Sequence, residues 1–275
     1  MKNIKLHDVS IALEDEGIGI PLLLIHGYPL NRLLWRPQVD ELSNLARVIA
    51  PDLRGHGDST SIKSTGEKYP PNFMETLADD CAQLLDVLEI DQPVILCGLS
   101  MGGYISFSFY RKYPQRVGGL ILAATRSNAD SPAARENRIK AINILKSSGS
   151  EPVIDSMLPM LLSPTTLVNN PALVDSVKEM MRSVALEGMI GDLMGMMERQ
   201  DSTPLLADIH VPTLVVMGED DQIIPRSEAE GMQARISNSK LVLLPQAGHL
   251  VNLEQPELFN QAVRSFIISS KRGRL

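Results

Sequence analysis

The stretch Gly98-Leu99-Ser100-Met101-Gly102 follows directly on the apolar run Pro93-Val94-Ile95-Leu96-Cys97. An apolar run that leads through G-x-S-x-G into a helical pattern predicts a strand, a tight turn and a helix. The two glycines leave room for the turn, which presents the serine hydroxyl at the tip of the strand. The N-terminus of the following helix offers unpaired N–H groups and a partial positive charge, which would stabilise an anion developing at Ser100.

Apolar runs and helical patterns alternate on both sides of this stretch. Because fully apolar strands that alternate with helices are typical of a parallel sheet covered on both faces, we predict an α/β fold with a mostly parallel central sheet flanked by helices. The predicted strands lie at residues 22–25, 48–50, 94–97, 120–124, 213–217 and 240–244, and the predicted helices at 72–89, 102–112 and 256–269.

The strand signals stop between residues 124 and 213, where only helical patterns occur. Ser131-Pro132, Ser163-Pro164 and Asn170-Pro171 each place a capping residue before a proline at the first helical position. We therefore predict an all-helical cap at residues 126–203, inserted into an α/β core formed by residues 1–125 and 204–275. Since ligands of α/β sheets bind beyond the carboxyl ends of the strands, this cap would roof a pocket above Ser100.

The last helix of the predicted cap carries an apolar stripe at helical spacing. The stripe consists of Leu186, Met189, Ile190, Leu193, Met194 and Met197. These side chains either fill the core or line an adaptable apolar pocket, since methionine repacks easily. We name Met189, Leu193, Met194 and Leu250 as pocket candidates, and the stripe favours a mostly apolar acyl or alcohol group on the substrate.

Three glycines interrupt the same helix, and two interpretations stay open. Each glycine costs about 1 kcal/mol of helix stability relative to alanine. Gly188, Gly191 and Gly195 indicate either a close approach of this helix to a neighbouring segment or a loose, movable lid. The sequence does not separate these two interpretations.

Composition excludes several classes of partner. The 275 residues carry a net charge of −7, which argues against nucleic acid because phosphates require a basic face. No apolar run has the length of a membrane span or the form of a signal peptide, so we expect a cytoplasmic protein. Cys81 and Cys97 suggest no disulfide framework, and no Cys/His cluster has metal-ligand spacing. We therefore expect a small-molecule substrate and no metal or other cofactor.

A serine nucleophile needs a base, and the base needs an acid to orient it. His249 follows the predicted strand at 240–244, and Asp220 and Asp221 follow the one at 213–217. Both loops leave carboxyl ends of strands, on the same edge of the sheet as Ser100. The chain order serine, aspartate, histidine therefore predicts a catalytic triad of Ser100, His249 and one of the two aspartates.

An oxyanion hole needs two N–H groups directed at the reacting carbonyl oxygen. One should belong to Met101, the residue after the nucleophile. The other should come from the loop after the first apolar strand, His26-Gly27-Tyr28-Pro29. Because proline has no N–H, we expect Tyr28 to supply it.

These motifs together resemble the α/β-hydrolase superfamily of the type with a helical cap. The matching motifs are His26-Gly27-Tyr28-Pro29, Pro51-Asp52-Leu53-Arg54-Gly55-His56-Gly57-Asp58-Ser59, Gly98 to Gly103, Gly218-x-x-Asp221-x-x-x-Pro225 and Gly248-His249. The sequence is similar to the carboxylesterase and 3-oxoadipate enol-lactonase group. The resemblance implies the α/β-hydrolase fold and favours Asp221 over Asp220 as the acid.

Departures from sister families narrow the implied chemistry. Haloalkane dehalogenases and epoxide hydrolases use an aspartate at the elbow, where this chain has Ser100. The resemblance therefore implies a serine hydrolase that cleaves a small carboxylic ester or lactone through an acyl-enzyme. An enol-lactone would bring a carboxylate, for which Arg126 is a candidate partner, although Arg126 is otherwise simply a surface residue. The alternatives are a carbon–carbon bond hydrolase with the same triad, a cofactor-free perhydrolase or haloperoxidase-like side activity, and a ligand receptor that retains the fold.

Overall fold

The computed structural model describes residues 2–60 and 68–272. Within these residues, eight strands form one sheet. The strands are β1 (Lys2–Lys5), β2 (Ser10–Glu16), β3 (Ile20–Ile25), β4 (Ala46–Pro51), β5 (Val94–Leu99), β6 (Val117–Ala123), β7 (Thr213–Gly218) and β8 (Ser239–Leu244). Their order across the sheet is β1-β2-β4-β3-β5-β6-β7-β8.

The sheet is parallel from β4 to β8, as the apolar runs predict. Successive residues of β3, β5 and β7 are buried, which means that both faces of these strands are covered. β1 and β2 pair antiparallel at one edge, and β2 also runs antiparallel to β4. These two strands were not predicted from the sequence, because β1 is short and mostly exposed and β2 ends in three acidic residues.

Eleven α-helices lie within the described residues. They are α1 (Arg36–Leu42), α2 (Met74–Val87), α3 (Met101–Lys112), α4 (Pro132–Ser148), α5 (Glu151–Leu161), α6 (Pro164–Asn169), α7 (Pro171–Arg182), α8 (Leu186–Glu198), α9 (Arg226–Arg235), α10 (Val251–Glu254) and α11 (Pro256–Arg272). The predicted helices at 72–89, 102–112 and 256–269 correspond to α2, α3 and α11. No helix of the described chain combines the length and the apolar character that crossing a membrane requires.

Helices α4 to α8 all lie between β6 and β7, within residues 126–203, which we call the cap segment. The Ser131, Ser163 and Asn170 side chains accept hydrogen bonds from backbone N–H groups three residues on, at 3.1–3.2 Å. These N-caps satisfy donors that would otherwise be unpaired at the starts of α4, α6 and α7. The predicted N-caps are therefore present, while the division into core and cap at residues 125 and 203 stays a prediction.

Helix α8 packs backbone to backbone against the core. A Cβ at Gly195 would overlap the carbonyl group of Asn72, and one at Gly188 would overlap that of Gly55. Two backbone hydrogen bonds join the same segments, from Asn72 N–H to Gly191 O at 2.9 Å and from Ala185 N–H to Gly55 O at 3.2 Å. Of the two interpretations of the glycines, the structure therefore favours the close approach for α8.

Replacement of Gly195 by alanine should destabilise the protein, although alanine is the better helix former. The added methyl group must displace the backbone of Asn72, at an expected cost of about 1–3 kcal/mol. Gly231→Ala is the matched control, because its new Cβ meets only the end of the flexible Arg235 side chain. Urea unfolding should give a lower midpoint for Gly195→Ala and an unchanged or higher one for Gly231→Ala. Equal midpoints would contradict the close packing of α8.

Candidate active site

Ser100 stands at a strained junction between β5 and α3. Its backbone has φ +55° and ψ −113°, a conformation that costs a non-glycine residue about 1–3 kcal/mol. Hydrogen bonds hold it there: its N–H donates to Ala123 O at 2.9 Å, and the Thr125 hydroxyl donates to its carbonyl at 2.8 Å. A Cβ at Gly102 would overlap the carbonyl of Ile25 in β3, so the turn requires glycine at that position. The structure thus contains the predicted elbow.

His249 and Asp221 lie on the loops that follow β8 and β7. The His249 Nδ1 is 2.9 Å from Asp221 Oδ2, and both side chains are buried. The other Asp221 oxygen accepts the backbone N–H groups of Ile223 at 2.8 Å and Ile224 at 3.0 Å. Asp220, the rival acid in the sequence, is exposed. The structure therefore brings His249 together with Asp221, as the family resemblance implies.

The environment of Asp221 keeps its carboxyl group ionised. Burial alone would raise the pKa of this group, because a charge is poorly solvated there. The charge and hydrogen bond of His249, together with the two backbone N–H groups, outweigh burial and lower the pKa below its usual value. A carboxylate on Nδ1 holds the proton of a neutral imidazole on that nitrogen and leaves Nε2 to accept another.

The loop that carries His249 is fixed to its surroundings by hydrogen bonds. The Glu254 carboxylate accepts the N–H of Gly248 and that of Ser163, both at 2.7 Å. The Leu250 N–H donates to Leu161 O at 3.0 Å. Since Leu161 and Ser163 belong to the cap segment, the cap and the His249 loop are positioned relative to each other.

Ser100 and His249 line the same cavity, which has a volume of about 120 Å³. Two larger surface grooves, of about 510 and 380 Å³, run along α11 and contain neither residue. We place the site in the smaller cavity because it alone of these three contains the predicted nucleophile Ser100 and the predicted base His249. The polar and aromatic lining residues are Tyr28, Tyr104, Arg126, Asp130 and Arg138, and the apolar ones are Ala134, Met157, Leu161, Met196 and Ile223.

The cavity wall includes a buried charge cluster that the sequence analysis did not identify. Asp130 is 2.5 Å from Arg138 Nε and 2.6 Å from Arg199 Nη1. Burial alone would raise the pKa of Asp130, but the two guanidinium groups hold it below its usual value. The Arg199 guanidinium also lies 4.2 Å from the centre of the Tyr104 ring, a cation–π contact. Tyr104 follows Ser100 by one helical turn, and this spacing could have identified Tyr104 as a residue of the cavity wall.

Arg126 lies where the sequence analysis predicts, directly beyond β6 and in the cavity wall. Its Nη2 donates to Ile223 O at 2.7 Å. A guanidinium has five N–H donors, so one such bond leaves others for a ligand. Arg126 and Arg138 with Asp130 give the wall two cationic groups and one anionic group.

The other pocket candidates occupy different positions. Met189, Leu193 and Leu250 are buried in the hydrophobic core, and Met194 packs against it half-buried. They are not among the residues that line the cavity; α8 contributes Met196 to the wall instead. Helical spacing identifies which side chains share a face, but here the earlier turns of α8 are covered by the core and do not reach the cavity.

Of the two predicted oxyanion donors, Met101 follows Ser100 in the chain and Tyr28 shares its cavity. Met101 is the first residue of α3, where a helix leaves its N–H groups without partners. Tyr28 lines the cavity with Ser100. In the part of the chain that the structure describes, neither backbone N–H donates to a protein acceptor. Searched over the same residues, no cluster of three or more His, Cys, Asp or Glu side chains is arranged to hold a metal.

Three known proteins illustrate what this chain is similar to. A putative 2-succinyl-6-hydroxy-2,4-cyclohexadiene-1-carboxylate synthase of Bacillus subtilis is 29% identical, with 97% of this chain and 98% of that protein aligned. The 3-oxoadipate enol-lactonase 2 of Acinetobacter baylyi is 27% identical over 89% and 87% of the two chains. A thermophilic esterase of Thermogutta terrifontis, solved with malate bound, is 40% identical with a TM-score of 0.94 over 98% and 99% of the chains.

The sheet order, the elbow at Ser100 and these similarities agree with one another, and they confirm the predicted α/β-hydrolase fold. The family described as "Alpha/beta hydrolase family" matches residues 22–262, most of the sequence. The chain therefore belongs to the alpha/beta hydrolase family.

Proposed function

We propose that this protein is a serine hydrolase that cleaves a small carboxylic ester or lactone through an acyl-enzyme intermediate. The observation that carries the proposal is the buried His249–Asp221 pair, which shares a cavity with the strained Ser100. The similarity to an esterase and to an enol-lactonase supports the same chemistry. The similar protein of Bacillus subtilis is named as a putative synthase, and one fold can host several chemistries, so the assignment here depends on the residues of the site.

In this mechanism the Ser100 oxygen attacks the ester carbonyl carbon while His249 takes the hydroxyl proton. The N–H groups of Met101 and Tyr28 stabilise the negative charge on the carbonyl oxygen. Asp221 stabilises the imidazolium, which then gives its proton to the departing alkoxide. A water molecule attacks the acyl-enzyme with His249 again as base, and the carboxylic acid and free Ser100 are regenerated.

The charges in the cavity wall favour a substrate that carries its own carboxylate. Arg126 and Arg138 outnumber Asp130, and a guanidinium binds carboxylates with two parallel hydrogen bonds. A dicarboxylate, malate, is bound in the esterase relative. The mostly apolar substrate that the stripe on α8 favours is less consistent with this wall, because Met189, Leu193 and Met194 are elsewhere.

Ser100→Ala should abolish turnover of p-nitrophenyl acetate and butyrate and leave the protein folded, because the nucleophile is lost while the elbow keeps its backbone contacts. Ser108→Ala is the control, since Ser108 is a buried serine of α3, the helix that follows Ser100, and lies outside the cavity. Steady-state rates and thermal unfolding would be measured for both variants. Retention of a substantial rate by Ser100→Ala would remove Ser100 from the mechanism.

The acid limb of the kcat/KM profile should report His249. The lowered pKa of Asp221 means that this carboxylate is ionised in the whole range where histidine gains a proton, and loses its charge only at far lower pH. Activity should therefore fall on acidification, because a protonated His249 cannot accept the serine proton. A rate that is independent of pH between about 5 and 8 would contradict His249 as the base.

Asp221→Asn should lower kcat by about 10³-fold or more, because an amide at this position favours the wrong imidazole tautomer. Asp220→Asn provides a matched control, since the neighbouring carboxylate is exposed and not in contact with His249. Similar losses in the two variants would disprove the assignment of Asp221.

The carboxylate preference can be tested with a pair of esters of matched shape, ethyl hydrogen succinate and ethyl 4-methylpentanoate. We expect a higher kcat/KM for the succinate ester, and a loss of about tenfold or more in that ratio in Arg126→Gln, as for a lost charge-assisted hydrogen bond. The exposed Arg226→Gln is the control. If Arg126→Gln leaves the ratio unchanged, Arg126 does not select the substrate, while ester hydrolysis itself stands.

A further inference from the structure

The peptide group that joins Gly27 to Tyr28 contains both an acceptor and the proposed oxyanion donor. This peptide bond is trans, and in a planar trans peptide the C=O and N–H bonds point in opposite directions. The Gly27 carbonyl lies 3.0 Å from His26 Nδ1 and accepts the Leu30 N–H, also at 3.0 Å. Whatever holds this carbonyl therefore also sets the direction of the Tyr28 N–H.

The hydrogen bonds of His26 define its protonation. The Leu53 N–H donates to His26 Nε2 at 3.0 Å, and a backbone N–H can only donate. The Nε2 atom is therefore unprotonated, and the ring proton sits on Nδ1, from which it donates to Gly27 O. Burial, followed by the charge of the neighbouring His56, holds the pKa of His26 well below its usual value. His26 thus remains neutral and keeps its hold on the Gly27 carbonyl.

His56 lies against His26 and is itself paired with a carboxylate of the cap segment. The two ring centres are 4.9 Å apart. His56 Nδ1 is 3.1 Å from Arg54 O, and Nε2 is 2.9 Å from Asp192 Oδ2. Since both neighbouring oxygens are acceptors, they favour a proton on each ring nitrogen. Burial would lower the pKa of His56, but Asp192 together with the Arg54 carbonyl and the charge of Asp52 raises it.

Asp192 is fully buried on α8 and is held on both sides. Its Oδ1 accepts the Asn72 side-chain N–H at 2.8 Å. The backbone bonds and the glycine contacts described above fix the same helix to residues 55 and 72. A buried ion pair of this kind is a poor source of stability but a strong positional restraint, because neither charge tolerates the loss of the other.

We propose that Asp192 is a positioning residue for the oxyanion hole, which acts through His56 and His26 on the Gly27–Tyr28 peptide. The position of α8 and the direction of the Tyr28 N–H then depend on each other. The catalytic part of this proposal rests on the proposed ester hydrolysis. Asp192 touches neither Ser100 nor His249, so its effect must appear in transition-state stabilisation alone.

The test compares Asp192→Ala, Asp192→Asn, His26→Ala and the double variant Asp192→Ala/His26→Ala with p-nitrophenyl butyrate. We expect Asp192→Ala to lower kcat by about tenfold, less than the ~10²-fold loss of a whole oxyanion donor, with KM unchanged. Affinity for a trifluoromethyl ketone, whose serine adduct bears an oxyanion, should fall by the same factor. Asp192→Asn should recover most of kcat, because an amide can still bond Asn72 and a neutral His56.

The double variant decides whether Asp192 acts through His26. If it does, adding Asp192→Ala to His26→Ala should cost no further activity, whereas independent losses would multiply. Asp15→Asn is the control for loss of a buried carboxylate, since Asp15 pairs with Lys2 and Arg47 at the sheet edge. It should change stability but neither kcat nor inhibitor affinity. Multiplying losses, or an unchanged kcat in Asp192→Ala, would overturn the proposal.

A second readout does not depend on turnover. In ¹H–¹⁵N spectra the Tyr28 amide signal should shift in Asp192→Ala and stay in place in Asp15→Asn, and the two ring nitrogens of His56 should both be protonated at neutral pH. An unmoved Tyr28 signal would overturn the coupling. A wild-type protein inactive on every ester would instead defeat the proposed function, while the spectra would still show whether Asp192 reaches Tyr28.

Discussion

The left-handed backbone of Ser100 is the constraint on which the rest of the site depends. A residue in this conformation is retained only where its neighbours over-determine it. Here β6 accepts its N–H through Ala123, and Thr125 binds its carbonyl. Helix α3 approaches β3 closely enough that Gly102 has no room for a side chain. The contacts that stabilise this strained backbone therefore come from three adjacent strands. Ser100 can be held in this conformation only because β3, β5 and β6 lie side by side in the sheet.

Buried carboxylates organise the space around this turn. Asp221, Asp130 and Asp192 belong to three different segments, and each is paired with a histidine or with arginines. A buried charge without a partner is costly, so each pair restrains the position of its elements as well as its own side chains. Asp221 pairs with His249, the proposed base, Asp130 organises the cationic wall, and Asp192 joins α8 to His56 and Asn72. The three pairs thus have separate functions within one compact region.

The residues that could be predicted from the sequence share a property: each sits in a short strand-to-loop motif. Ser100, Asp221 and His249 follow apolar runs directly, so their places at the sheet edge follow from local pattern and from the rule that parallel strands end on one side. The caps Ser131, Ser163 and Asn170 were equally visible. β1 and β2 were missed because β1 is short and mostly exposed and β2 ends in three acidic residues, so neither strand is apolar throughout.

The residues of the site that could not be predicted depend on contacts between segments that are distant in the chain. Met189, Leu193 and Met194 form a convincing stripe, yet only the tertiary packing of α8 shows that Met196 reaches the cavity. The pairs Asp130–Arg199 and His56–Asp192 span 69 and 136 residues, and no periodic pattern marks them. Asp220 and Asp221 are likewise adjacent in sequence, and loop geometry alone separates an exposed carboxylate from a buried one.

The anchoring of the cap segment limits how this family member can be recombined with its relatives. Helix α8 is bonded through its backbone to Gly55 and Asn72, and Leu161 and Ser163 are bonded around the His249 loop. A cap grafted from another hydrolase would dock here only if its residues reproduced these contacts. A functional chimera would have to transfer the segments around residues 55, 72 and 248–254 along with residues 126–203, so the unit of exchange is larger than the inserted helices themselves.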